Sequence, residues 1–208
     1  MADKKYSVTE LQQKVEQAVI EFMKENPSLL ELDAHEQTIS HRIAYYLEKL
    51  FCKSGGEELN VDCEYNKRVD AYKRSNIDLN KYLKEYPPEE FKNCHCYKCK
   101  QWLKNTFPET LYKKPIRPDI LVHLRRHNGP DHNQVVIEIK KAKICPFDKS
   151  KLQALTELDK SEECYGYQLG VFLYFPVPER KPRFLYFCDG KQFPEMKVFF
   201  PVELPIAG

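Results

Sequence analysis

The run Tyr167–Phe175 (YQLGVFLYF), closed by Pro176, constrains this chain more than any other stretch. It is nearly all apolar, as befits a strand in the interior of a sheet and covered on both faces. Such a strand needs a layer on each side, and helices are the usual cover. The run also falls far short of the ~18 apolar residues that a membrane-spanning helix requires. The N-terminal MADKKYSVTELQ enters a polar helical pattern with no apolar signal core, so a cytoplasmic protein with no membrane partner is expected. At 208 residues the chain can bury a core of its own, and a single domain over 1–208 is the expectation.

Ser7-Val-Thr-Glu10 has the form of a capping box, in which serine and glutamate satisfy free N–H groups at a helix start. Val8, Leu11, Val15, Val19 and Phe22 then recur at helical spacing until Asn26-Pro27, which makes 1–31 an N-terminal helical segment. Asp33 is expected to cap a second helix over Ala34–Phe51, with Ile39, Ile43, Leu47 and Leu50 on its apolar side. Gly55-Gly56 breaks the chain, and Leu59–Tyr65 alternates like a half-buried strand. From Asn66 to Arg117 the sequence is polar, broken by Pro87-Pro88 and Pro108. It reads as an insertion between two core strands, with short helices near Leu79–Tyr86 and Gln101–Phe107. Strands follow at Asp119–Leu124 and Val135–Lys140, forming a hairpin around Gly129-Pro130. Asp148 is expected to cap a helix through Asp159, and a last strand is expected at Phe184–Phe187 before Asp189-Gly190. The order α-α-β-(insert)-β-β-α-β-β describes an α/β domain, a mixed sheet flanked by helices.

Chemistry concentrates in that hairpin. Pro118-Asp119 precedes Glu138-Ile139-Lys140 by nineteen positions from aspartate to glutamate. Alternation along a strand puts Glu138 and Lys140 on one face and Ile137 and Ile139 on the other. Pairing Leu124 with Val135 sets Asp119 opposite Lys140, with Glu138 diagonal to it. Two carboxylates and an ammonium then converge at the open end of the hairpin. Carboxylate oxygens are hard ligands suited to Mg²⁺ or Mn²⁺. Such an ion polarises a phosphoryl oxygen and lowers the pKa of bound water, while Lys140 can hold that water or neutralise charge gathering on phosphorus. A lone general base contributes only ~10²–10⁴, far below the accelerations of up to ~10¹⁷ that phosphodiester hydrolysis can need. Taken alone, charged residues on a strand mark its solvated face, and E-x-K by itself means little.

Pro118-Asp119…Glu138-Ile139-Lys140, bracketed by these helices and strands, resembles the PD-(D/E)XK nuclease superfamily, the restriction-endonuclease-like fold. The likeness spans roughly Ala34 to Phe187 and follows the family core order α-β-β-β-α-β. The resemblance implies that Asp119 and Glu138 bind the divalent ion, with Ile139 counted among its ligands, and that Lys140 assists the nucleophilic water. It also points to Glu36, since many members place a glutamate on the first core helix. A glutamate in a first helical turn is favoured by the helix dipole in any case. The implied activity is Mg²⁺- or Mn²⁺-dependent DNA endonuclease in restriction, repair or defence. The alternative is a non-catalytic module that binds nucleic acid or protein on the same fold. An RNA target is the weaker reading, and a homodimer stays open. The insertion has no counterpart in the minimal family core.

Cys94-His95-Cys96-Tyr97-Lys98-Cys99 places four soft or borderline ligands in six residues. The Cys96/Cys99 spacing suits two corners of a Zn²⁺ tetrahedron and Cys94 a third. His95, Cys63 or Cys145 would have to complete the site; exposed reduced thiols are the competing reading and a redox role the third. His123 shares a strand face with Asp119, which places it near the site or, as the plainer reading, makes it a hydrogen-bonded, partly buried histidine. Glu64, in parity with Asp62, either faces the hairpin or is a solvated strand carboxylate, the latter being the plainer reading.

The net charge of +2 conceals a segregation. Residues 1–65 carry −6, residues 66–117 carry +7 and residues 118–208 carry +1. The positive excess lies in the cysteine-bearing insertion, where it can offset the repulsion between acidic metal ligands and a nucleic-acid backbone.

Overall fold

The computed structural model describes residues 6–51, 59–64, 79–94, 96–104, 117–125, 131–141, 143–158 and 165–193. Within them the apolar run becomes a strand buried along its whole length, in the middle of a six-stranded sheet. The spatial order follows the chain: β1 (Asn60–Cys63), β2 (Ile120–His123), β3 (Asn133–Lys140), β4 (Leu169–Tyr174), β5 (Arg183–Cys188) and β6 (Lys191–Gln192). Neighbours pair antiparallel except β3 and β4, which run parallel. A parallel pair needs a crossover, and the helix α7 (Pro146–Thr156) lies within it. The fold is therefore α/β, with a mixed sheet between helices. Among the described residues no helix is long and apolar enough to cross a membrane.

Helices α1 (Val8–Glu25), α2 (Pro27–Glu31) and α3 (Glu36–Phe51) cover one face. Leu11, Val15, Val19 and Phe22 of α1 and Ile39, Ile43 and Leu47 of α3 share a core with Ile120, Val122, Ile137, Ile139, Val171 and Leu173 of the strands. The capping box forms in both directions. The Glu10 N–H donates to Ser7 Oγ at 3.2 Å, and the Ser7 N–H donates to Glu10 Oε2 at 2.8 Å. On the other face Leu152 and Leu155 of α7 meet Leu121, Val136, Phe172, Leu185 and Phe187. Gly170 permits that approach, since a Cβ there would stand 2.9 Å from Thr156 Cγ2 and 3.1 Å from Phe187 Cβ.

Three short helices, α4 (Leu79–Leu83), α5 (Pro88–Asn93) and α6 (Tyr97–Leu103), lie between β1 and β2 in sequence. They share a third apolar cluster with α7, in which Phe91 stacks on Trp102 at 5.7 Å and Phe147 meets Phe91 edge-on at 6.4 Å. The expected helix at Gln101–Phe107 is thus the end of one that starts at Tyr97, and α5 was not anticipated. Residues 65–78, 105–116 and 126–130 fall outside the described residues, as do Gly55-Gly56 and His95.

Three local expectations are corrected. Asp33 does not cap α3; it takes a left-handed φ of 53° and pairs with Lys141 and Arg180. The helix starts at Glu36, with the Gln37 N–H donating to His35 Nδ1 at 3.3 Å. Asp148 lies inside the first turn of α7, whose N-cap is Cys145. The hairpin register is displaced by two residues, because Val122, not Leu124, faces Val135. The cause is that β3 begins at Asn133. Asn133 and Gln134 join the ladder although polar, because each side chain has a partner: Asn133 Nδ2 donates to the Tyr165 carbonyl and Gln134 Nε2 to the Asp131 carbonyl. A reading that followed apolar residues alone cut the strand short.

At the outer strands Asp62 is buried beneath Arg125 and His123. Arg125 Nε donates to Asp62 Oδ2 at 2.9 Å, its Nη2 meets Oδ1, and His123 Nε2 lies 2.9 Å from Oδ2. His123 is therefore the buried, paired histidine the sequence suggested, and its partner lies on β1. Burial alone would raise the Asp62 pKa, but the Arg125 guanidinium and the His123 ring hold it well below the ordinary 3.8. A depressed carboxylate contributes stability above its unfolded pKa and loses it as pH falls. Asp62→Asn is expected to cost about 2 kcal/mol at pH 7, from the loss of charge-assisted hydrogen bonds. The gap to wild type should narrow below about pH 4, where the unfolded carboxyl takes up its proton. Urea unfolding at pH 7 and pH 3 measures both values.

Candidate functional site

Asp119 stands at the start of β2, and the hairpin register carried one residue further sets it across from Glu138. The two-residue displacement keeps parity, so Asp119, Glu138 and Lys140 still share the α7 face of the sheet. Asp119 Oδ2 accepts from the Ile139 N–H at 2.6 Å, which ties the two strands together at their ends. Glu36, in the first turn of α3, reaches the same point from the far layer. Its Oε1 accepts from the Lys141 N–H at 3.3 Å and its Oε2 lies 3.3 Å from Lys140 Nζ. Lys140 also donates to the Ile139 carbonyl at 3.2 Å. Glu36, Asp119, Glu138 and Lys140 therefore meet at one corner, where β2 and β3 end against α3 and α7.

Two further residues belong to the group, Asp148, which the sequence presents only as a helix cap, and Lys151, which it does not mark. Asp148 Oδ2 lies 3.4 Å from Lys140 Nζ, and its Oδ1 lies 2.7 Å from Lys151 Nζ. Lys151 Nζ is in turn 2.7 Å from Glu138 Oε1. Their signal was present as an i,i+3 acid–base pair in the first turns of the helix after the Glu-x-Lys strand. Glu64 does not join them. It takes a left-handed φ of 50° and accepts from Gln37 Nε2 at 2.6 Å.

Four carboxylates (Glu36, Asp119, Glu138, Asp148) here meet two ammoniums (Lys140, Lys151), a formal excess of two negative charges. The electrostatics follow from burial. Burial pushes Glu138 up to about 8, against the pull of Lys151. Asp119 is raised by burial too, with the Ile139 N–H opposing. Asp148 goes the other way, because Lys151 and Lys140 outweigh its desolvation. For Lys140, desolvation is outweighed by Asp148, Glu138, Glu36 and Asp119, so it stays protonated. The donor set is all oxygen, and a hard divalent cation would relieve the burial that disfavours charge on Glu138 and Asp119. Such an ion would have to displace Lys151 from Glu138.

A second constellation lies at the other side of α7. Cys94, Cys96, Cys99 and Cys145 place their Sγ atoms within 4.8 Å of one another, and Cys96 Sγ is 3.8 Å from Cys145 Sγ. Cys145 thus supplies the fourth corner, while Cys63 lies on β1 outside the group. These sulfurs are free thiols, well beyond the ~2.05 Å of a disulfide. The set could hold a metal ion. Four thiolates around one ion at bonds of ~2.3 Å define a tetrahedron with edges of ~3.8 Å. A polynuclear cluster would spread the four thiolates further, because they would be divided among two or more metal atoms. Hydrogen bonding with Cys145 brings Cys94 down to about 7, while hydrogen bonds with Cys145 and Cys96, together with burial, raise Cys99.

No family model, curated protein or solved structure matches the chain. What the two sites can do rests on their own chemistry.

Proposed function

We propose that this protein is a metal-dependent phosphodiester hydrolase, a DNA endonuclease of the PD-(D/E)XK type. The observation that carries the reading is the meeting of Asp119, Glu138 and Lys140 on one face of adjacent strands, with Glu36 against Lys140. The succession of α3, the antiparallel β1–β3, α7 and the parallel β4 supports it, being the α-β-β-β-α-β order that resemblance to the family implies.

In this reading Asp119, Glu138 and the Ile139 carbonyl hold Mg²⁺ or Mn²⁺. The ion, when bound, polarises a phosphoryl oxygen and acidifies its water. The Ile139 N–H fixes the Asp119 carboxylate against β3. Lys140 remains an ammonium at neutral pH, so it does not act as the general base. It donates to the attacking water or to a phosphoryl oxygen, and stabilises the charge that builds on phosphorus. Glu36 and Asp148 hold its Nζ in place. Lys151 balances the buried acids until a cation arrives. The basic insertion supplies the countercharge that brings an anionic backbone towards an acidic corner.

The four cysteines are read as the site of a structural Zn²⁺. Closed four-coordinate sulfur sites are characteristic of structural zinc.

The experiment is incubation with plasmid, linear and single-stranded DNA, with Mg²⁺, Mn²⁺ or EDTA. Cleavage that requires the ion and disappears in Glu138→Ala is the expected result. Equal background cutting by both proteins on every substrate rejects the enzyme.

A further inference from the structure

The thiol set joins two parts of the chain that are far apart in sequence. Cys94, Cys96 and Cys99 come from the end of α5 and the start of α6, and Cys145 is the N-cap of α7. The carbonyl of Cys145 accepts the Lys149 N–H at 3.0 Å, so the same residue closes the first turn of α7. That turn carries Asp148, and the next carries Lys151. Around the sulfurs the apolar support is a small satellite cluster built on Phe91, Trp102 and Phe147.

We propose that metal binding at Cys94, Cys96, Cys99 and Cys145 clamps the insertion to the first turn of α7 and thereby sets Asp148 and Lys151 against Glu138 and Lys140. The proposal rests on the Zn²⁺ reading of the thiols and does not depend on DNA cleavage. The cysteine centre is then a positioning device for the carboxylate corner. The link is covalent and short, since only Pro146 and Phe147 separate the ligand Cys145 from Asp148. Side-chain contacts repeat it, because Phe147 packs against Trp102 at 6.4 Å and Lys149 pairs with Glu90 of α5 at 3.1 Å. With the metal removed, four close thiols lose the ion that draws them together. The N-cap is then released, and the first turn of α7 frays.

The test uses the full chain and two readouts. Metal content of the purified protein gives the first. One Zn²⁺ per chain is expected, with loss of that ion in Cys145→Ser. Acylation of lysines by an amine-selective reagent, followed by mass spectrometry, gives the second. Lys151, 13% exposed and held between Glu138 and Asp148, should react slowly in the zinc-loaded protein. Chelation should speed its labelling by about tenfold or more, through local opening, and added Zn²⁺ should reverse the change. Lys14, part-buried on α1 with its Nζ donating to the Leu50 carbonyl at 2.9 Å, is the internal control and should not respond. Since chelation acts on wild-type protein, the result stands even where Cys145→Ser folds poorly. Purified and Zn²⁺-supplemented protein that holds no stoichiometric zinc rejects the Zn²⁺ reading. Zinc that binds and can be removed with Lys151 labelling unchanged rejects the clamp and leaves the zinc site standing. Lys151 and Lys14 accelerating together would mean global unfolding, which also overturns a local clamp.

Discussion

Replacing Glu138 by glutamine is expected to lower the DNA-cleavage rate by ~10²–10³-fold or more, the scale seen when one preorganised electrostatic contact is removed from a reacting centre. The substitution keeps the volume of a side chain that is almost fully buried and removes the carboxyl that would ionise onto the metal. Lys151 retains Asp148 as its partner at 2.7 Å, so the change should not strand an ammonium. The loss should therefore appear in the rate and in the ion concentration needed for half-maximal activity, while DNA affinity without the ion is unchanged. Single-turnover cleavage across an Mn²⁺ titration separates these. A variant as fast as wild type at every ion concentration would show that Glu138 does not serve the reaction.

Asp148→Ala carries the largest expected effect on stability. Asp148 is buried and shared by two ammoniums, at 3.4 Å from Lys140 and 2.7 Å from Lys151. Removing one partner from a buried ionic group costs ~3–5 kcal/mol, because the charges left behind cannot return to water. Glu138 and Glu36 remain to hold the lysines, which favours the lower end. Urea unfolding should show a reduced midpoint with an unchanged slope, the mark of altered stability without altered compactness. Asp33→Ala is the contrasting variant. Asp33 also meets two cations, Lys141 and Arg180, but its side chain is 63% exposed and solvent screens the contacts. Its midpoint should stay close to wild type. An Asp148→Ala midpoint as high as that of Asp33→Ala would remove the buried ionic group from any structural role.

The layers were legible in the sequence because each signal had one physical source. An apolar run such as Leu169–Tyr174 has nowhere to go but a sheet interior, and the Ser7/Glu10 box specifies a helix start by itself. Face assignments survived an error in register, since a two-residue slip preserves parity. That is why Asp119, Glu138 and Lys140 were grouped correctly by a pairing that proved to be displaced. Buried polar residues were the harder part. Asn133 and Gln134 extend β3 against their composition, and only their distant partners explain it. Asp148 looked like an N-cap because Asp is common at that position. Its actual role depends on Lys140 and Lys151, and on α7 starting at Pro146 beside Cys145. The fourth ligand has three candidates in the sequence, His95, Cys63 and Cys145. Only the placement of α7 against α6 distinguishes Cys145 from Cys63.

The central claim is that the acidic corner binds a divalent cation. Anomalous scattering from a crystal soaked in Mn²⁺ tests it most directly. The account predicts a peak between the carboxylates of Asp119 and Glu138, with Lys151 moved off Glu138. Full occupancy of the soak with no peak at that corner, and Lys151 still against Glu138, would contradict it.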